Sequence, residues 1–531
     1  MVTPTVLDIA ALSRDDRLAR TPDAAYGVLA DLDQPVYVIR DATGLGLTGD
    51  GGVARRTGSV VLAAVPPLPP RQLGAAGFRH DHGVEVAYQA GAMAHGLASP
   101  EMVATLARGG VLGSFGAAGL VAAKVDAGLA RIAREAAGRP FACNLIHSPS
   151  EPAMERSTVD LCLRHGVRCV EASAFLELTP EVVRYRALGL TAGPDGRPRI
   201  GHRVIAKVSR AEVAELFLRP APEPLLRGLV EGRRITAEQA RLAARVPMAD
   251  DVTAEADSGG HTDRRPMPVL LGEILRVRDA VCVEHGYPVR VGAAGGIGTP
   301  TAAAAAFAMG ADYVVTGSVN QACVESGQSA AVKELLGAAG VTDCDMAPSS
   351  DMFELGVDVQ VLRRGTMFPA RARRLFELYR RHDGIEDIPA DERANLERTV
   401  FRRGLDEVWA DTVAYFAERD PDQIARAEGH PKRRMALVFR WYLGLSSGWA
   451  AAGVPDRVAD YQVWCGAAMG ACNAWLRGTP LEPVQRRTVT ALAHHIMRGA
   501  AYQSRLAALR SSGVSLPARC STYRPSEEGP R

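Results

Sequence analysis

Absences narrow the field first. The 531 residues contain no uncharged apolar run of the ~18 residues a membrane-spanning helix needs. The longest candidate, TAAAAAFAMGADYVV, reads as a small-residue helix running into a strand. The opening MVTPTVLDIAALSRDD has no basic segment leading into an apolar one, so no secretory leader is expected. Nine cysteines are present, yet no CxxC pair and no metal-ligand spacing. No metal is expected, and the cysteines read as reduced, mostly buried thiols of a cytoplasmic protein. Cys465 and Cys472 could share one helix face in a core. Excess charge is also missing. A net charge of +2 supplies no field that steers a chain to nucleic acid or anionic lipid, so neither partner is expected. Arg371, Arg373, Arg374, Arg380 and Arg381 follow helical spacing and read as a solvated face.

What remains is an ordinary globular composition, 47% hydrophobic and 23% charged, long enough for two or three domains. Residues 1–80 read as a small β-rich unit. QPVYVIRD and GSVVLAAV are its strands, with the Gly-rich DATGLGLTGDGG as a turn between them. The proline-rich PPLPPRQLG then serves as an extended connector.

After it the rhythm changes. Short apolar runs at 84–90, 111–115, 141–146, 168–173, 203–208, 251–256, 289–294 and 312–318 alternate with amphipathic helical stretches. Eight such alternations predict a TIM (β/α)8 barrel over 81–345, an α/β fold with parallel strands buried on both faces. A doubly wound sheet is the alternative, but the Gly-rich fingerprint after its first strand is absent. The interval 209–250 after strand five is long and helical, a candidate lid or substrate subdomain over the barrel mouth. Residues 346–531 read as a C-terminal helical domain. All five tryptophans, Trp409, Trp441, Trp449, Trp464 and Trp475, fall in this part, which a helical domain with its own aromatic core accounts for most simply.

In a barrel the chemistry sits on loops that follow the strands. GAAGGIGTP and TGSVNQ follow strands seven and eight, and both precede a helix. Ala294, Gly295 and Gly296 in the first loop, with Gly317 and Ser318 in the second, can turn peptide N–H groups toward a phosphate. The plainer reading is that these glycines only make tight turns. Three more strand ends suit a flavin ring. Gly91, Ala92 and Met93 put small residues and a thioether beside strand one. Asn144 ends strand three with an amide that offers both donor and acceptor. Lys207 ends strand five, where a buried cation needs compensation. Near the N1–C2 carbonyl it would stabilise a reduced, anionic ring; the alternative is an ion pair with Glu171 or Glu255. After strand six comes EADSGGHTDRRP. Gly259 and Gly260 permit close backbone approach, and an imidazole such as that of His261 can act as acid or base near neutrality. The plainer reading has His261 packing or capping, with Asp263 as a cap for the helix that opens near Pro266.

These strings, together with CNLIHSPSEP, VIAKVSR, DMFELGVDVQVLRRGTMFP, MALVFRWYLGLSS and DYQVWCGAAMGA, closely resemble the PfaD family. Its members are trans-acting enoyl reductases of polyketide and polyunsaturated fatty acid synthases. The resemblance runs from about Val36 to about Arg505. The barrel part also resembles the nitronate monooxygenase group of FMN proteins. The resemblance implies FMN in the barrel and NADPH as hydride source. It also implies an enoyl thioester on an acyl carrier protein of a synthase module as substrate. It places the flavin phosphate at Gly295, Gly296, Gly317 and Ser318, and the ring beside Asn144 and Lys207. It makes His261 the first candidate for the proton to the α-carbon and His147 the second. Arg264 departs from the pattern, where an asparagine is expected. A nitronate monooxygenase and a non-catalytic synthase scaffold stand as alternatives. The Trp-rich helical domain suits a homodimer.

Overall fold

A computed structural model describes residues 7–8, 18–54, 58–148 and 152–526. Most of the opening stretch read for a leader lies outside these residues. Chain contacts divide the protein into two compact units. One holds Met1–Ala256, Arg265–Ser326 and Trp475–Arg531; the other holds Asp257–Arg264 and Gly327–Ala474.

The centre of the first unit is a closed parallel barrel of eight strands. They are β1 Tyr88–Ala90, β2 Leu112–Phe115, β3 Ala142–Ile146, β4 Cys169–Ser173, β5 Arg203–Val208, β6 Asp251–Glu255, β7 Arg290–Ala294 and β8 Tyr313–Thr316. Each apolar run read from the sequence supplies one of them. Neighbours in sequence are neighbours in the barrel, and β8 closes onto β1.

The N-terminal ends of the strands are plugged. Helix Ala76–His82 places the Phe78 ring 4.3 Å from that of Tyr313, nearly parallel to it. His82 Nε2 lies 2.7 Å from Asp251, which Arg290 also holds at 2.5 Å; Arg290 reaches Asp81 at 2.8 Å. Burial pushes the Asp251 carboxyl up, but His82 and Arg290 outweigh it and hold the group at about 2. With this end closed by an ion network, the C-terminal ends are left as the mouth.

The insertion at 209–250 does not cover that mouth, which corrects the lid expectation. Only Ser209 and Arg210 separate β5 from helix Ala211–Leu218, the ordinary helix running back along the barrel. The added helices, Glu223–Glu231 and Ala237–Ala243, come after it, on the way to β6. Met248 N donates to Arg219 O at 2.9 Å and Asp250 N to Val204 O at 3.0 Å, which seats this connection at the plugged end. There the two helices pack on helix Pro180–Leu188 and, through the second, on the hairpin strand Leu190–Ala192.

In the same unit, Val36–Asp41 pairs antiparallel with Gly44–Thr48 and Val60–Val65. The glycine-rich stretch expected as a turn therefore contains a strand, because Leu45 and Leu47 alternate with its glycines. The long helix Val489–Ser511 packs on helix Pro300–Ala308. Gly499 has no room for a Cβ there, since Pro300 would lie 2.5 Å away. Arg505 ties the same helix to the N-terminal segment by donating to the carbonyls of Leu29, Asp31, Leu32 and Gln34.

The second unit is mostly helical but holds a sheet ordered Gly260–His261, Asp358–Leu362, Cys344–Pro348. Its buried core is built from Phe353, Phe368, Phe401, Phe439 and Tyr442. Trp409, Trp441, Trp449 and Trp464 pack against that core while partly exposed, and Trp475 belongs to the barrel unit. Smaller rings fill the interior, and these four indoles cover its rim. Among the described residues no helix is long and apolar enough to cross a membrane, and no cluster of ligating side chains suits a metal ion.

Candidate functional site

At the mouth, the loops after β7 and β8 are glycine-shaped for different reasons. Gly295 has φ +85° and packs on Ala256, whose carbonyl would lie 2.5 Å from an added Cβ. Ala294 sits buried at the end of β7, and its carbonyl accepts from Ala256 N at 3.0 Å. Gly296 has φ +74°, and nothing stands within 4 Å of where its Cβ would be. Gly317 also faces open space, at φ −128°. It precedes the short helix that begins at Ser318. Close packing explains Gly295, but open space at Gly296 and Gly317 is room beside peptide groups that no protein atom fills. The residues present therefore fit a phosphate-bearing cofactor at these two loops.

The ring-side candidates are more committed than the sequence implied. Glu171 is 1% exposed and organises them. It accepts from Gln89 Nε2 at 2.6 Å and from the backbone N–H of Ala92, and it faces Lys207 Nζ at 3.5 Å. Lys207 also reaches Glu255 at 3.1 Å. Burial alone would pull the Lys207 ammonium down, but Glu255 and then Glu171 more than offset this, and its pKa is raised. Both ion-pair partners named as the alternative are thus engaged, and the lysine is firmly charged. Its positive charge is met by two carboxylates instead of standing alone beside a ring. Asn144 spends its amide hydrogens on Glu171 O at 3.1 Å and Ser173 Oγ at 2.8 Å, so it can offer a ligand only its carbonyl oxygen. Gly91 N donates to Thr316 O at 2.9 Å, and an added Cβ there would press on Val315 at 3.0 Å. A Cβ on Gly116 would collide with Met93 O, so these two mouth loops are in close contact.

His147 follows β3. Its Nδ1 lies 3.1 Å from Glu155 Oε2, and its ring stacks on Phe175 at 5.3 Å.

The loop with Gly259, Gly260 and His261 belongs to the second unit. Gly260 and His261 pair with Gln360 and Val359. A Cβ on Gly259 would collide with the backbone of Cys465, so that glycine serves packing inside its own unit. Gly260 needs its freedom for φ +89°. His261 is half exposed, and its Nε2 lies 3.2 Å from both Ser349 Oγ and Asp351 Oδ1. Burial raises the Asp351 carboxyl, but hydrogen bonds from His261 and Ser349 overcome it and hold the group well below the usual carboxylate range. Asp263 is not the cap of the next helix. That helix is Met267–His285, with Pro266 at its cap and no side-chain capping bond. Arg264 stands at φ +54°, a conformation in which asparagine is several-fold enriched; an asparagine there would carry less strain.

Sequence reasoning passed over four residues here. Gln89 Oε1 and Ser114 Oγ are buried in the barrel without a hydrogen-bond partner. Glu155 is a buried carboxylate on a helix otherwise read as amphipathic. His95 stands two residues after Met93; its ring would touch a Cβ on Gly119, and burial lowers its pKa. A polar residue at an inward strand position was the available signal for Gln89 and Ser114.

Comparison with known proteins adds the following. Residues 15–67 match the family described as fatty acid synthase subunit PfaD N-terminal domain. Residues 382–461 match the inserted helical domain of acyl-carrier-protein S-malonyltransferase. The chain is 48% identical over 492 residues to a polyunsaturated fatty acid synthase subunit of Thraustochytrium sp., covering 91% of this chain and 33% of that protein. It is 44% identical over 433 residues to the polyketide biosynthesis protein PksE of Bacillus subtilis, covering 81% of this chain and 56% of that protein. It therefore spans about a third of the first relative's length and little over half of the second's. The solved enoyl reductase domain of MlnA, from the macrolactin biosynthesis cluster of Bacillus amyloliquefaciens, superposes with a TM-score of 0.78 at 37% identity. That match covers 83% of this chain and 99% of that one.

Proposed function

The chain belongs to the PfaD-like family of enoyl reductases, and we propose that it reduces α,β-unsaturated acyl thioesters carried on an acyl carrier protein of a polyketide or polyunsaturated fatty acid synthase. The observation that carries a flavin in this reading is the open space beside Gly296 and Gly317, at the ends of β7 and β8. Their peptide N–H groups, with those of Gly295 and Ser318, would hold the FMN phosphate. Asn144 would offer its carbonyl oxygen to the ring, and Lys207 has one N–H left after facing Glu171 and Glu255. Bound there, FMN reduced by NADPH would supply the hydride that the β-carbon receives.

The protein's own residues then have two tasks. Negative charge that develops on the thioester oxygen must meet a hydrogen-bond donor, and the α-carbon must receive a proton. His261 is the first candidate for the proton, with ionised Asp351 beside it to support the charged ring. Substituting His261→Ala separates the half-reactions. Reduction of bound flavin by NADPH should persist while reduction of the enoyl thioester falls by about 10²-fold or more. Equal loss of both would assign His261 a structural role.

A further inference from the structure

Glu155 is a buried carboxylate outside the flavin reading, and its surroundings are built around one imidazole. It is 4% exposed on helix Pro152–Arg164. One oxygen accepts from Thr179 Oγ1; the other faces His147 Nδ1 at 3.1 Å. Thr179 is itself fixed, since it caps helix Pro180–Leu188 by accepting from Val182 N. The His147 ring lies against Phe175 at 5.3 Å, and Phe217 meets Phe175 edge-on at 5.8 Å. His147 N donates to Ser173 O at 3.0 Å. Between Ser173 and Phe175, Ala174 adopts φ +61°, which is uncommon for a residue with a Cβ. Strain of this kind persists where the surroundings over-determine a geometry. If the aim were only to anchor a helix, an apolar side chain at position 155 would do so without desolvating a charge.

We propose that Glu155 is a positioning residue for His147. A carboxylate oxygen accepts, so Nδ1 carries a hydrogen and the proton that the ring gains or loses sits on Nε2. Phe175 fixes the plane of the ring and Glu155 its rotation. His147 thereby becomes a one-sided donor at the mouth: when protonated, its Nε2–H meets the thioester oxygen on which charge develops. This role rests on the enoyl reductase reading; the locked tautomer does not.

Two measurements separate them. Imidazole ¹⁵N NMR of the full chain should show His147 protonated at Nδ1 in its neutral form, and Glu155→Gln, a weaker neutral acceptor that can also turn its NH2 to the ring, should weaken that preference. In the same variant, kcat for reduction of a crotonyl thioester should fall about 10- to 100-fold, below the roughly 10²–10⁴ that loss of a general acid costs. KM and the rate of flavin reduction by NADPH should hold, and Glu155→Asp should recover part of kcat. A neutral His147 carrying its proton on Nε2 in the unsubstituted protein would overturn the proposal. So would an unchanged kcat in Glu155→Gln, or equal loss in both half-reactions. If the unsubstituted protein does not reduce the thioester at all, the reductase reading falls, and the tautomer still decides the positioning.

Discussion

A Cβ built on Gly259 would stand 2.8 Å from the backbone nitrogen of Cys465. The first glycine of the Gly-Gly-His string is thus required by packing within the helical unit. Gly259→Ala should destabilise that unit by about 1–3 kcal/mol, the range for overpacking a site that cannot yield. Urea unfolding followed by tryptophan fluorescence checks this, because four indoles cover that unit's core.

Gly317 makes the opposite case. Its φ of −128° is not left-handed, and nothing lies within 4 Å of its missing Cβ. Gly317→Ala should leave the flavin-free protein within about 0.5 kcal/mol of the parent, as a substitution that disturbs no contact does. The methyl group would instead occupy the space proposed for the cofactor phosphate. Flavin retained after gel filtration should drop while the unfolding curve stays in place. A loss of stability with full flavin binding would contradict the assignment.

Lys207 ties Glu171 and Glu255 together. Lys207→Met leaves two carboxylates facing each other with no cation between them, one of them buried. Removing one partner of a buried pair costs roughly 3 kcal/mol. Adding Glu171→Gln to Lys207→Met should restore part of that loss, because the uncompensated buried charge is then gone. Chemical denaturation of the two variants beside the parent measures both effects.

His495 gives the barrel unit a pH-dependent stability. Its Nδ1 lies 2.9 Å from the Tyr523 hydroxyl, and burial, aided by Arg498, lowers its pKa from 6.5 to about 4. The unfolded chain therefore binds the proton more readily than the folded one. The stabilisation is complete above pH 6.5 and is lost as pH falls toward about 4. It amounts to roughly 3 kcal/mol over that window. His495→Gln should flatten the fall in unfolding free energy between those pH values.

Much of the barrel was legible because buried parallel strands are short apolar runs, and all eight announce themselves. The phosphate loops were legible as glycines before helices, although the sequence could not tell packed Gly295 from open Gly296. Three features were hidden for a physical reason: they depend on partners far away in the chain. The insertion's placement at the plugged end follows from Met248 meeting Arg219. The role of Gly259 depends on Cys465, and the dyad of His147 requires Glu155, which a helical pattern presents as one more polar residue. A lysine at the end of an apolar strand needs compensation, and for Lys207 the structure supplies it twice, in Glu171 and Glu255.

The most direct test is turnover without oxygen. Purified protein loaded with FMN is mixed anaerobically with NADPH and a crotonyl thioester on an acyl carrier protein. NADPH should be consumed in step with formation of the butyryl thioester. No anaerobic turnover, with oxygen-dependent oxidation of a nitronate in its place, would contradict the account.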